Sequence, residues 1–212
     1  MSKHSRVVIW RHGRTAWNAE LRWQGQSDIP LDDIGMEQAA AAAIKLSEYE
    51  PVKIVSSDLM RASRTAQFLS DLVGLPVDID HRLRETDGGK WEGMTQSDIR
   101  REHAEYLHSW LTDPSLPAGM TGETRDVVAE RMAAAIAEHA ATTDGTLVVA
   151  THGGAARVAI LKLLGLPMDY SSRFKVLNNC AWAVLDLDED HSAWQVSEYN
   201  MTASAPLPES HL

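Results

Sequence analysis

An arginine, a histidine, a glycine and an asparagine arrive together in Arg11-His12-Gly13-Arg14-Thr15-Ala16-Trp17-Asn18, directly behind the apolar run Arg6-Val7-Val8-Ile9-Trp10. The run is short and β-branched, which predicts a buried strand. Residues delivered at the end of such a strand stand where open α/β sheets bind their ligands. An imidazole beside a guanidinium at that place can serve as a nucleophile next to an anion clamp. Two more apolar runs end in the same way. Lys53-Ile54-Val55-Ser56-Ser57 leads into Asp58-Leu59-Met60-Arg61, and Thr146-Leu147-Val148-Val149-Ala150 leads into Thr151-His152-Gly153-Gly154. Between them, Leu83 to Gly93 is a glycine-punctuated loop carrying Glu85, Asp87 and Glu92. Two histidines, two arginines and a carboxylate make a chemically coherent set.

Arg11-His12-Gly13 near the start and His152-Gly153 towards the end resemble the two signature blocks of the histidine phosphatase (phosphoglycerate-mutase-like) superfamily. The likeness spans roughly residues 5 to 200 by motif order, and the full Arg-His-Gly-x-Thr-x-x-Asn block makes it specific. It implies a three-layer α/β/α sandwich, with His12 as the nucleophile that forms a phosphohistidine. Glu85, in a Glu-x-x-x-Gly-x-x-x-Gly loop, becomes the candidate general acid; Asp87 is the weaker candidate from the same loop.

A phosphate monoester dianion repels nucleophiles, so its charge must be neutralised before attack. Arginine suits that task because its fork binds phosphoryl oxygens bidentately and stays charged. Arg11 and Arg61 take this role, with His152 as a further donor and Asn18 as a neutral one. The spare ring nitrogen of His12 needs an acceptor to fix its tautomer, such as a backbone carbonyl near Gly13. A carboxylic acid can protonate a leaving alkoxide near neutrality only where burial or nearby anionic charge raises its pKa. Nothing in this chemistry requires a metal or another cofactor, and no metal-ligand spacing is evident.

Softer candidates surround this set. Gln24 and Gly25, in Arg22-Trp23-Gln24-Gly25, match a segment that contacts substrate in the family, and Gly153 belongs to the second histidine block. Arg14 is a candidate rim cation. Glu123 reads either as a residue near the substrate or as part of a helix start, where the dipole favours an anion. Gly88 stands where relatives in the family often carry a larger residue, so it is expected to widen the pocket. Trp91 and Trp110 read as packing residues. The other histidines lack motif context and read as surface residues.

The elements that must position these groups alternate. Helices are expected over Gly35–Tyr49, capped by Asp32 or Asp33, and over Asp58–Val73, ended by Gly74. Further helices are expected over Thr95–Leu111 (one or two), Glu123–Ala141 and Gly154–Leu164. A short strand is expected at Pro76–Asp80, with closing strands at Cys180–Asp186 and Trp194–Tyr199. This alternation predicts a mainly parallel central sheet with helices on both faces. By resemblance, Thr95–Leu111 and the following loop form a lid over the pocket.

The 212 residues are expected to form one domain, with a core over about 5–200 and a flexible tail over 201–212. A hydrophobic content of 44% and a charged content of 24% are ordinary for a globular protein. The net charge of -10 argues against nucleic-acid and anionic-membrane partners. It also makes the Arg/His pocket a positive island suited to a small phosphorylated metabolite. The lone Cys180 fits a reducing cytoplasm, and no apolar run approaches membrane length. An exposed strand edge or lid face leaves room for a homodimer.

The expected function is thus a metal-independent phosphomonoesterase working through phosphohistidine on a sugar phosphate or phosphoglycerate derivative. The sequence also resembles actinobacterial phosphatase-type members of the family. The alternatives are a 2,3-bisphosphoglycerate-dependent phosphoglycerate mutase and, less favoured, a non-catalytic phospholigand binder. True mutases carry a basic segment after the Glu loop; here Thr95 to Gly122 offers only Arg100 and Arg101 early on, then Glu102, Glu105 and Asp113.

Overall fold

The computed structural model describes residues 5–187 and 193–203. In chain order the elements are β1 (Ser5–Arg11), α1 (Ala16–Ala19), α2 (Asp33–Ser47), β2 (Pro51–Ser56), α3 (Met60–Val73) and β3 (Val77–Ile79). There follow α4 (Gln96–Glu102), α5 (Ala104–Thr112), α6 (Arg125–Ala141), β4 (Gly145–Thr151), α7 (Gly153–Leu163), β5 (Trp182–Leu187) and β6 (Trp194–Met201). The strands form one sheet in the order β3-β2-β4-β1-β5-β6. The first four run parallel; β5 runs antiparallel to β1, and β6 antiparallel to β5. The sheet is therefore mixed, with a parallel centre.

Alternation along the strands builds the two faces. Val7 and Ile9 of β1, with Leu147 and Val149 of β4, pack against Val128, Met132 and Ile136 of α6 and Ala156 and Ile160 of α7. Val8, Trp10, Val148 and Ala150 point to the opposite face and meet Ala39, Ala42 and Leu46 of α2 and Ala66 and Leu69 of α3. A central strand covered on both faces must be apolar at every position, which is why these runs read as continuous rather than alternating. The result is a three-layer α/β/α sandwich.

Helix ends follow their caps. Asp32 caps α2 through a bond from the Gly35 N–H to its carboxylate (2.7 Å). Gly74 ends α3 in the left-handed conformation at φ 73°. The start of α3 lies two residues past Asp58, because Asp58 faces Arg84 and the Met60 N–H is capped instead by Asp28 (2.7 Å). The region expected as one or two helices is two, α4 and α5, meeting at His103. They share a small core of their own, in which Trp91 and Trp110 lie edge to face at 5.3 Å with Ile99 and Ala118. Trp23 joins it at 5.2 Å from Trp91 and 5.6 Å from Trp110. The helical pair thus packs on Trp23 and Trp91, one from each of the two loops that carry Gly25 and Glu85. The acidic turn between β5 and β6 and most of the expected tail lie outside the described residues.

Candidate active site

Strand register brings the two histidine blocks together. β1 and β4 are parallel neighbours with Arg11 beside Thr151, so the next residues, His12 and His152, leave the sheet side by side. Their rings lie 5.2 Å apart at 60°, and both are almost wholly buried. The His12 backbone is pinned on both flanks, its N–H to the Thr151 carbonyl (3.0 Å) and its carbonyl to the Cys180 N–H (3.1 Å). Gly13 follows because a side chain there would strike the Gly35 carbonyl, 2.3 Å from the position of its first carbon.

Hydrogen bonds fix both tautomers. His12 Nδ1 lies 2.7 Å from the Gly13 carbonyl, which can only accept, so Nδ1 carries the proton and Nε2 keeps its lone pair. His152 is the opposite case. Arg61 Nε–H donates to its Nδ1 (3.2 Å), so Nε2 carries the proton and donates to Ser57 Oγ (3.0 Å). Burial pushes the pKa of both rings well below the ordinary histidine value, and the nearby Arg61 cation pushes in the same direction. At neutral pH the site therefore presents one lone pair, one ring N–H donor and no imidazolium.

The cations stand around them. Arg61, in the first turn of α3, is fully buried and donates to the Ser27 and Gly25 carbonyls (2.7 Å each). Burial lowers its pKa to about 10, which still leaves it charged near neutrality. Arg11 donates to the Leu177 carbonyl (2.5 Å), while its Nε is buried without a partner. Gly25 takes φ 52° with the Glu92 carboxylate packed where a side chain would stand, so this loop backbone also demands glycine. The amide oxygen of Gln24 is likewise buried without a partner beside this loop.

Glu85 reaches the same centre by an unexpected route. Its carboxylate accepts from the N–H groups of Gly154 (3.0 Å) and Ala155 (2.8 Å), and so caps the first turn of α7. A third bond comes from the Thr86 N–H (2.7 Å). The helix beginning at the second histidine block thereby holds the acid of the intervening loop.

The remaining candidates divide between the site and its surroundings. Asn18 Oδ1 closes the capping box of α1, accepting from the Thr15 N–H and hydroxyl (3.1 Å each) and from Asn179 (3.2 Å), which leaves its NH2 to meet a ligand. Arg14 does not join the cluster: it pairs with Asp32 (2.8 Å) at the start of α2. Asp87 turns inward to accept from the Gly89 N–H (2.8 Å). Gly88 does not widen the pocket, because Trp23 Nε1 lies 2.2 Å from where its side chain would begin. His139, read as a surface residue, sits mostly buried against Asp80 (3.1 Å).

Further residues support the site from outside it. Arg131 of α6 donates to the carbonyls of Arg82 (2.7 Å), Arg84 (2.7 Å) and Glu85 (2.9 Å) and pairs with Glu123 (2.8 Å). Glu123 in turn accepts from the Asp87 N–H (2.9 Å). Burial would raise the Glu123 pKa, but the Arg131 and Asp87 hydrogen bonds outweigh it and hold the carboxyl below its usual value. Glu123 thus braces the acid loop beside the helix start. Glu92 gathers the N–H groups of Gln26 (2.7 Å), Ser27 (3.1 Å) and Gly88 (3.1 Å), tying together the two loops that line the site.

A neutral buried imidazole with a free lone pair, ringed by two guanidiniums and a ring donor, suits attack on a phosphoryl group. The comparisons agree. A model of the histidine phosphatase superfamily (branch 1) matches residues 7–202. The chain is 39% identical to a glucosyl-3-phosphoglycerate phosphatase of Mycolicibacterium vanbaalenii, over 93% of this chain and 95% of that one. It is 32% identical to a probable phosphoglycerate mutase of Yersinia pestis, with 95% of each chain covered. A solved mycobacterial glucosyl-3-phosphoglycerate phosphatase in complex with VO3 superposes with a TM-score of 0.85 at 35% identity, covering 93% of this chain and 100% of that one. The chain belongs to the histidine phosphatase superfamily, and its near full-length likeness to named phosphatases makes it a phosphatase within it.

Proposed function

We propose that this protein is a cytoplasmic, metal-independent phosphomonoesterase that transfers the phosphoryl group of a sugar phosphate or phosphoglycerate derivative to His12 and then to water. Glucosyl-3-phosphoglycerate is the first substrate to test, since relatives at 35–39% identity carry that name. The observation that carries the reading is the His12 Nδ1 contact with the Gly13 carbonyl at 2.7 Å, which keeps Nε2 available. Arg11, Arg61 and the Asn18 amide take the phosphoryl oxygens, joined by the His152 Nε2–H once it exchanges Ser57 Oγ for the ligand, with Gln24, the Gly25 backbone and Gly153 shaping the wall. His12 Nε2 bonds to phosphorus in line as the ester P–O bond breaks, and the Glu85 carboxyl gives its proton to the departing alkoxide. Glu85 then takes a proton from water as the oxygen of that water attacks phosphorus. The N–P bond breaks, orthophosphate leaves and the ring returns to neutral.

Arginine and histidine supply the charge neutralisation that a divalent ion supplies elsewhere. The mutase alternative lacks support in the helical pair: Arg101 is spent on Asp98 (2.5 Å) and Glu102 (2.7 Å) at the surface. Phosphorus NMR with glucosyl-3-phosphoglycerate, 3-phosphoglycerate and 2,3-bisphosphoglycerate, each with and without EDTA, tests all of this. The expected result is growth of orthophosphate, strongest for one substrate and indifferent to the chelator. Interconversion of 3- and 2-phosphoglycerate without orthophosphate would establish the mutase instead, and a loss restored by a divalent ion would refute metal independence.

Arg131 positions the acid through the loop backbone without touching substrate. Arg131→Met should therefore lower kcat about 10-fold with KM changing much less, and Arg131→Lys should recover part of it. A KM effect larger than the kcat effect would place Arg131 in substrate binding rather than loop support.

A further inference from the structure

Arg157 lies one turn into α7 and belongs to none of the machinery above. Side chains on a helix lean back towards its N-terminus, so a residue at this position reaches over those three and four before it. Here those are Gly154 and Gly153, which have no side chains to block it. The surroundings of that turn are known from its glycines: a side chain at 153 would meet Val176 and the Arg11 guanidinium, and one at 154 would meet the Glu85 carboxylate (2.8 Å). That direction carries an arginine at 157 along the wall between the phosphate clamp and the acid, in keeping with its attraction to Tyr199 and Glu85.

Nothing among the described residues satisfies its Nε. Among the described residues Arg157 has no ion pair and no hydrogen bond, and its Nε is buried without a partner. Glu85 attracts it electrostatically but spends its oxygens on three backbone N–H groups. Tyr199 is the other attracting neighbour. Burial lifts that phenol to about 12, so it is neutral near pH 7, and its hydroxyl donates to the Lys175 carbonyl. Arg125, at the start of α6, adds a second nearby cation whose charge opposes that of Arg157. Its own fork is committed to the carbonyls of Trp110 (2.8 Å) and Asp113 (3.2 Å). A guanidinium whose Nε is buried without an acceptor is costly, and retaining one beside a reaction centre makes sense when the anion arrives with the ligand.

We propose that Arg157 binds a carboxylate carried by the leaving group of the substrate. The side of the site matters: Glu85 protonates the leaving oxygen, so a charge held just beyond Glu85 belongs to the alcohol half and not to the transferred phosphoryl group. The ligand class matters too, since a single free fork matches one carboxylate bidentately, whereas a second phosphate dianion calls for more cations than this wall offers. The inference rests on the proposed phosphatase reading and narrows it to esters of glyceric-acid type.

The test compares 3-phosphoglycerate with glycerol 3-phosphate, which replaces the carboxylate by a neutral CH2OH group. The wild-type enzyme should favour 3-phosphoglycerate in kcat/KM. In Arg157→Gln that preference should shrink about 10- to 100-fold, chiefly through KM, with a much smaller loss on glycerol 3-phosphate. Arg157→Lys should keep part of it. The ratio within one variant is independent of how much of the sample is folded. An unchanged ratio in Arg157→Gln, or equal losses on both substrates, overturns the proposal. So does a wild-type enzyme that hydrolyses both equally, although the phosphatase reading then stands. Release of orthophosphate from no phosphomonoester at all would mean that the phosphatase reading itself fails.

Discussion

Replacing His12 by alanine is expected to lower kcat by about 10⁴-fold or more on every substrate and to abolish the acid-labile phosphoenzyme. The size of the effect follows from the role. Arg11, Arg61 and His152 can still hold a phosphate, but the neighbouring imidazole cannot replace His12 Nε2, because His152 Nδ1 is occupied by Arg61 and its Nε2 carries a proton. The fold should survive. The backbone of residue 12 is secured by Thr151 and Cys180 through main-chain bonds that alanine also makes. The measurements are steady-state phosphate release, trapping of radiolabelled phosphoenzyme with acid and alkali treatment, and far-UV circular dichroism. A folded His12→Ala protein that still turns over at a wild-type rate, or that carries its label on another residue, would refute the nucleophile assignment.

The chemistry of this site was legible in the sequence because each main participant stands at an element boundary that the sequence marks. His12 and His152 follow apolar strands, Arg61 opens the helix after a third, and Glu85 lies in a loop punctuated by glycines. Parallel pairing of β1 with β4 then does the assembly, setting the two histidines abreast. The expected helices begin and end within a few residues of the observed ones where the cap is local, as at Asp32 and Gly74. What the sequence does not show is a cap that comes from a distance: Asp28 caps α3, which starts two residues later than expected, and Glu85 caps α7. The same limit hides the supports. Arg131 sits mid-helix among residues that read only as amphipathic, and its three carbonyl partners lie 46 to 49 positions away. From the sequence Glu92 is one more loop carboxylate and Gly88 is open space, whereas Glu92 ties two loops together and Trp23 stands over Gly88. Pairwise contacts between distant loops leave no periodic trace, so side chains whose only partners are remote backbone groups cannot be read from spacing.

Stability should fall on mild acidification, and an oxyanion should restore it. His12 and His152 are neutral in the folded protein, with pKa values held well below 6.5 by burial and by nearby cations. In the unfolded chain both titrate near 6.5. As pH drops below that value, the unfolded state takes up protons that the folded state refuses, so folding loses free energy. The slope approaches about 1.4 kcal/mol per pH unit for each histidine. The carboxylates with lowered values, Asp58, Asp80, Asp98, Asp113 and Glu123, act in the same direction but only below their ordinary values of 3.8 to 4.5. Between pH 6.5 and 5 the loss therefore reports the histidine pair. Orthovanadate or phosphate supplies the negative charge that Arg11 and Arg61 lack. At 100 times its dissociation constant a ligand bound only to the folded state adds about 2.7 kcal/mol. An anion beside the rings also favours their protonated forms, so the acid-dependent loss should be shallower with phosphate present. Urea unfolding at pH 7.5, 6.5 and 5.5, with and without saturating phosphate, reads both effects. Stability that stays flat or rises towards pH 5.5 without phosphate, or that is indifferent to phosphate at every pH, would show that the two histidines are not the neutral, cation-flanked pair the mechanism needs.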